Sequence, residues 1–327
     1  MLFIPFRVIY IHNENTLKGD KTMADRDFLK TNFGIEIELT GITREKAARV
    51  LADHLRGSIE RQNDYYDSYK VTAPDGRAWK IMYDGSLRCQ RKVNGQKVAA
   101  GREYSVELVS PILTYKEDIE TLQELIRKIR KTGGFPNSTA GIHIHLDGAD
   151  HTPRSLRNFV NIIYARNDLL YESLQIERER MRYCKKMDKD LVERMNKKKP
   201  KTFKEIEDIW YKGYGSSRER HYHESRYHFL NLHSFFNGVG TVELRGFNGT
   251  LHAGKIRSYI VLALAINNQA LTQKSASTKK PQLENPKFAM RTWLNRIGLI
   301  GEEFKNCREH LTKHLEGSAA WRFRRAA

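Results

Sequence analysis

Hydrophobic and polar residues alternate with period two in four separated stretches of the chain. In FGIEIEL, Phe33 to Leu39, the residues Ile35, Ile37 and Leu39 stand against Glu36 and Glu38. Further along, Tyr104, Val106 and Leu108 stand against Glu103, Ser105 and Glu107. GIHIHLD, Gly141 to Asp147, sets Ile142, Ile144 and Leu146 against His143, His145 and Asp147. Val242 and Leu244 stand against Thr241, Glu243 and Arg245. Successive side chains of a strand point to opposite faces. Each stretch therefore predicts a strand with one face in the core and the other lined by groups that bind cations or phosphate.

Other segments follow the helical period. Arg44 to Leu55 predicts a helix stopped by Gly57, and Tyr115 to Lys131 an amphipathic helix closed by Gly133-Gly134. Pro153 opens a long helical stretch to about Met187, with more helix around Lys189 to Asn196 and Phe203 to Tyr211. His252 to Gln273 is the most apolar helix; a polar linker from Ser275 to Pro281 leads to a helical tail and the basic arm Arg322 to Arg325. Hairpins are expected at Tyr65 to Tyr83, turning at Pro74-Asp75-Gly76, and at Arg88 to Ala100, with Asn94-Gly95 at the tip. Arg226 to Phe235 and Gly240 to Phe247 read as two strands around Asn237-Gly238. Interleaved helices and frequent hairpins predict an α+β fold, a mainly antiparallel sheet with helices packed on one side.

At 327 residues, 39% hydrophobic and 29% charged, the chain has the length and composition of a globular protein with a substantial core. The domain expected is residues 28–275 with a basic helical insertion at about 178–220, preceded by an arm (1–27) and followed by a basic helical extension (276–327). No apolar run has the length of a membrane span. The opening MLFIPFRVIYI, broken by Pro5 and Arg7, does not read as a signal peptide. Three cysteines, Cys89, Cys184 and Cys307, lie far apart without a CxxC pair, which fits a reducing cytoplasm. The net charge of +18 is concentrated locally, with eleven Lys or Arg against four Asp or Glu between Arg178 and Lys201. Such a segment is either a solvated surface or an attractor of nucleic acid or another acidic polymer.

The polar faces of the four strands change this picture. They carry glutamates and histidines with one arginine, and like charges crowded on a sheet repel. A divalent cation neutralises such a wall. Carboxylate oxygens suit Mg²⁺ or Mn²⁺, whereas zinc more often takes cysteine or several histidines. Arg245 beside Glu243 suits a phosphoryl group arriving at the metal. Neither GxxxxGK[ST] nor a strand–GxGxxG–helix unit is present. The loop Gly213 to Arg218 is glycine-rich and basic and is a weaker phosphate candidate. The histidines of HYHESRYHFLNLH (His221, His223, His228, His233) read as surface and core residues, with His228 sharing the spacing of Arg226 toward a pocket. Two other readings compete: a metal-dependent nuclease or phosphohydrolase, and a basic nucleic-acid-binding protein without catalysis.

In order along the chain, FGIEIE, the DGSL of Asp84 to Leu87, the ELVSP of Glu107 to Pro111, GIHIHLD, the RYHFLNL of Arg226 to Leu232 and TVELRGFNGTL of Thr241 to Leu251 resemble the putative amidoligase family. That family is grouped with carboxylate–amine ligases related to glutamine synthetase and γ-glutamylcysteine ligase, and the resemblance spans roughly 31–272. It implies a curved antiparallel sheet of glutamine synthetase catalytic-domain type, with helices on the convex face and Mg²⁺ or Mn²⁺ and ATP on the concave one. It implies an ATP-dependent amide-forming reaction through an acyl phosphate, between small-molecule or peptide carboxylates and amines. By motif, Glu36, Glu38, Glu107, His143, Glu243 and less directly Glu103 would be metal ligands. His145 would lie near the phosphates, and Arg245 would stabilise the transferred phosphoryl group. Arg226 and Asn231 would bind substrate or nucleotide, and Asp84 and Ser86 of DGSL would belong to the site. Glutamine synthetase carries a small domain ahead of its catalytic sheet; roughly thirty residues precede Phe33 here, a departure from that pattern.

Overall fold

The computed structural model describes residues 27–281 and 284–320; residues 1–26 of the amino-terminal arm and Arg322 to Arg325 lie outside the described residues. The chain order is β1 (Phe33–Leu39), α1 (Arg44–Leu55), β2 (Ser58–Arg61), β3 (Tyr69–Thr72), β4 (Ala78–Met82), β5 (Gln90–Val93), β6 (Gln96–Ala99) and β7 (Val106–Val109). It continues with α2 (Tyr115–Lys131), β8 (Gly141–Asp147), α3 (Pro153–Leu174), α4 (Lys189–Lys198), α5 (Phe203–Trp210), β9 (Leu230–Asn231), α6 (His233–Phe236) and β10 (Thr241–Asn248). The helices α7 (Ala253–Thr272), α8 (Pro286–Arg296) and α9 (Lys305–Thr312) close the chain. Eight strands form one sheet in the order β2-β3-β4-β7-β1-β8-β10-β9, and every pairing is antiparallel. The α+β architecture expected from the alternation is the one observed.

The two periodicities divide the molecule into layers. Ile35, Ile37 and Leu39 of β1, Val106 and Leu108 of β7, Ile142, Ile144 and Leu146 of β8, and Val242 and Leu244 of β10 are all buried on one face of the sheet. The buried sides of α1, α2, α3 and α7 complete the same core. Burial of this apolar area, at about 25 cal/mol per Å², supplies the main driving force for holding the sheet in register. Helix α7 runs through the middle of that layer and is buried nearly all round. Helices α8 and α9 add Met290, Trp293 and Leu311 to the same core, so it continues past the polar linker. No helix among the described residues is long and apolar enough to cross a membrane.

Local signals explain the element ends. Thr43 caps α1 by accepting from the Lys46 N–H, and Thr202 and Glu205 form a reciprocal capping box on α5. The β5–β6 hairpin turns at Asn94 and Gly95, both with positive φ (49° and 81°), as an Asn-Gly turn requires.

Three expectations are corrected. The helix from Pro153 stops at Leu174, with Gln175 left-handed at its end, and Arg178–Arg180 forms a 3-10 turn. Glu103 is not on a strand: Arg102–Tyr104 is a 3-10 turn, and β7 begins only at Val106. The cause is buried Arg44, whose Nη1 donates to the carbonyls of Arg102 (2.7 Å) and Ser105 (2.9 Å) and so curls this segment. Between Arg226 and Phe235 the strand shrinks to Leu230–Asn231, flanked by a 3-10 turn at Glu224–Arg226 and by α6.

Candidate active site

Strand pairing brings the polar faces together row by row. Glu36 lies opposite His143, Glu38 opposite Glu107, and Glu243 opposite both His145 and Asn231. Opposite partners in an antiparallel ladder share a face and stand about 5 Å apart. Alternation within each strand and register between strands thus gather side chains as far apart in sequence as Glu36 and Glu243.

Five carboxylates and two imidazoles meet there. Three overlapping groups each have ligand atoms within 4.8 Å of one another: Glu36, His145 and Glu243; Glu36, Glu107 and His143; Glu38, Asp84 and Glu107. Glu36 belongs to two of them, and so does Glu107. His143 Nδ1 lies 2.9 Å from Glu36 Oε2, and its Nε2 lies 3.6 Å from Glu38 Oε1. His145 Nδ1 meets Thr241 Oγ1 at 3.0 Å; its Nε2 lies 3.2 Å from Glu36 Oε1 and makes no aligned hydrogen bond. Glu38 is buried, its Oε2 accepting the Gly141 N–H at 2.7 Å.

The electrostatics of this wall are divided. Burial pushes Glu38 up to about 7, and the Asp84 charge adds to the rise. Glu107 is raised well above the usual carboxylate range by burial and then by Glu36, Asp84 and Glu38. Burial also opposes ionisation of Glu36, but His145 and His143 outweigh it and hold Glu36 well below its ordinary value. For Glu243 burial is outweighed by Arg245 and His145, leaving it at about 2. Burial, with Arg245 nearby, lowers His143 to about 4, so its ring is neutral near pH 7 and keeps a lone pair for a ligand. The protein alone supplies too little positive charge for this many carboxylates, and these carboxylates and imidazoles could hold divalent cations.

Arg245 enters from a bulge in β10. It is buried and bonded through Nη1 to Glu243, while its Nε has no partner among the described residues. An unpaired buried donor beside candidate cation ligands is a fitted place for an anionic oxygen. Asn231 fastens Glu243 from the other side through its Nδ2. Arg226 lines the same cavity of about 200 Å³ from its 3-10 turn, held over the Tyr222 ring and bonded to the His221 carbonyl. The cavity wall also includes Lys80, Met82, Tyr66 and Tyr222, and the last two join hydroxyl to hydroxyl at 2.9 Å above the sheet.

Of the residues singled out from the sequence, Glu36, Glu38, Asp84, Glu107, His143, His145, Glu243, Arg245, Arg226 and Asn231 converge here. Two do not. Glu103 is exposed in its turn and outside all three ligand groups. Ser86 bonds Asp84 Oδ1 through both its N–H and its hydroxyl, and it lines an adjacent open groove with Arg88 and Arg178 instead of the cavity. His228 is buried against Trp210, and the pocket is lined instead by His221 and His233, because the 3-10 turn breaks the alternation. The loop Gly213 to Arg218 does not line the cavity; Arg218 is bound to Glu207 and Asp208.

Sequence reasoning missed two supports. Ser105, fully buried, exchanges hydrogen bonds with the backbone of Asp84 and fixes the Asp84 turn. Arg180, also buried, bonds backbone carbonyls of β10. No local pattern marks Arg180, and the alternation that includes Ser105 does not reveal its role, since both act on backbone atoms from distant segments.

A family model described as putative amidoligase enzyme matches residues 29–267. No curated protein matches the chain. Among solved structures the chain is similar to a bifunctional glutathione synthetase from Pasteurella multocida, with 13% identity and a TM-score of 0.42. The match covers 88% of this chain and 47% of that one, so the chain spans about half the length of that protein.

Proposed function

Since the chain belongs to the putative amidoligase enzyme family, we propose that it is an ATP-dependent ligase joining a carboxylate to an amine through an acyl phosphate. In this reading its sheet is of the glutamine synthetase catalytic-domain type. A carboxylate oxygen of the substrate attacks the γ-phosphorus, the bond to the bridging oxygen breaks, and ADP leaves. The amine nitrogen then attacks the acyl carbon and inorganic phosphate leaves, with one proton lost from nitrogen. The observation that carries the reading is the meeting of buried carboxylates, two imidazoles and Arg245 on one face of the sheet.

Each residue has a role that follows from its surroundings. Glu36, Glu38, Asp84, Glu107, His143, His145 and Glu243 would hold two or three divalent ions, which when bound neutralise the charge of both acidic reactants. The neutral ring of His143 presents a lone pair, and Glu36 orients it. In this reading His145, a ring nitrogen of which lies within 4.8 Å of ligand atoms of Glu36 and Glu243, would join the metal ligands, whereas the motif alone implies a position near the phosphates. Arg245 donates to the phosphoryl group in transfer, and Asn231 keeps Glu243 from following it. Arg226, over Tyr222, receives a further anionic group of nucleotide or substrate.

The test is ADP release from Mg²⁺·ATP against pools of amino acids, peptides and amines. Release should depend on an acid and an amine together and should stop in excess chelator. Glu38→Gln, His143→Ala and Arg245→Ala should each lower it by about a hundredfold or more while melting cooperatively. Release that persists in chelator, or cleavage of RNA or DNA with Mn²⁺ and no ATP, would overturn the ligase reading.

A further inference from the structure

Strand β10 is interrupted where it passes His143. Its Leu244 pairs with Ile144 and its Phe247 with Ile142, so Arg245 and Gly246 together lie opposite one residue of β8. A bulge of this kind takes backbone groups off the ladder and re-aims the side chain it carries. The displaced carbonyls, buried under the 175–185 segment, need donors. One residue supplies both. Arg180 Nη1 donates to the Phe247 carbonyl, and Nη2 to the Arg245 carbonyl at 2.9 Å.

The guanidinium is held in place from several directions. Arg180 is only 2% exposed. The preceding Glu179 accepts from Arg88 (2.8 Å) and Ser138 (3.0 Å), and the Glu177 N–H donates to Asn248 Oδ1 at 3.0 Å. On the far side the guanidinium lies against Gly141, where an added Cβ would come within 2.2 Å of Nη2. The absence of a side chain at Gly141 is what admits it, and the Gly141 N–H is the donor to Glu38.

We propose that Arg180 is a positioning residue of this site: by gripping the carbonyls of Arg245 and Phe247 it fixes the bulge that points the Arg245 guanidinium into the carboxylate cluster. Arg180 does not touch the reacting groups. It sets the angle of a residue that does, and only the turnover arm of its test rests on the ligase reading.

The full-length protein is labelled with [¹⁵N]arginine, and the Arg245 Nε–H resonance is assigned by its loss in Arg245→Lys. Three variants are compared with the parent: Arg180→Met, Arg180→Lys and Gly141→Ala. In Arg180→Met the Arg245 resonance should shift or broaden while melting stays cooperative. ADP release should fall about a hundredfold, the scale expected of a side chain misplaced by an ångström, with little change in half-saturating ATP. Arg180→Lys, a cation able to reach one carbonyl, should restore part of both signals. Gly141→Ala, pressing on the guanidinium from behind, should also move the resonance. An Arg245 resonance that stays in place in Arg180→Met overturns the proposal. Should that variant fail to fold, an unmoved resonance in both of the other two overturns it. If the parent protein releases no ADP with any pool, the ligase reading fails and the resonance still decides the role of Arg180.

Discussion

Glu36 and Glu107 reach within 4.8 Å of each other in one ligand group; burial raises both, yet their neighbours drive them in opposite directions. Glu36 lies between two imidazoles; Glu107 faces carboxylates. This opposition gives the metal-free protein a specific pH dependence. Glu38 (about 7 against 4.5), Glu107 and His145 hold protons more tightly folded than unfolded. Their stabilisation is present at low pH and is lost as pH rises through the folded values. His143, lowered to about 4, contributes the reverse, a stabilisation lost as pH falls below 6.5. Glu36 and Glu243, both depressed, likewise lose theirs only in acid. Across pH 6.5 to 8 Glu38, with a folded value of about 7, lowers stability by on the order of 1 kcal/mol. Over the same interval the histidines held below 6.5 by burial, His143 and His233 (about 4) among them, act the other way as their unfolded forms lose protons. The share of Glu38 is therefore read in chelator as the difference between the parent and Glu38→Gln: relative to the variant, the melting temperature of the parent should fall from pH 6.5 to 8. A difference that stays constant or rises over that interval would refute this account of the cluster.

Among elements, β10 carries the most consequence for the site. Its bulge works because Gly246 leaves room for the Phe229 ring; an added Cβ would sit 1.9 Å from Phe229 Cδ2. Phe229 is fully buried and packs on Phe247, so it has nowhere to retreat. Gly246→Ala should cost about 2 kcal/mol in thermal or urea unfolding, and adding Phe229→Leu should return part of that loss. A neutral single substitution would mean that the ring and the bulge are not packed this way. The same strand marks what the sequence makes legible. Alternation at Glu36/Glu38, His143/His145 and Glu243/Arg245 is a local signal with a period of two, and the core on the opposite face enforces it. The Asn94-Gly95 turn is local in the same sense. Glu103 shows the limit: its alternation with Ser105 and Glu107 is overridden by Arg44, a residue 59 positions earlier that curls the backbone by taking two carbonyls. The bulge and Arg180 are equally invisible, because an extra residue in one strand is defined only by its partner.

Over the whole molecule, a chain of net charge +18 has built an acidic hollow at the centre of its sheet. Part of the positive charge sits in surface ion pairs, as where Asp168 meets both Lys186 and Lys280. Surface pairs of this kind contribute little and are screened by salt, whereas the enclosed carboxylates are not. The two charge populations should separate in a titration with cations. A ligand that binds only the folded state stabilises it by RT ln(1 + [L]/Kd), about 2.7 kcal/mol at a hundred times Kd. For a chain of this size that is a rise of roughly 4 °C in melting temperature. Mn²⁺ should produce that rise, chelator should reverse it, and NaCl at matched ionic strength should not reproduce it. Glu36→Gln alters the residue shared by two ligand groups and should abolish most of the rise. Lys199→Ala, at the exposed end of α4, should leave it intact. Equal responses to Mn²⁺ in those two variants would show that the cation acts on the surface, and that the hollow does not gather metal.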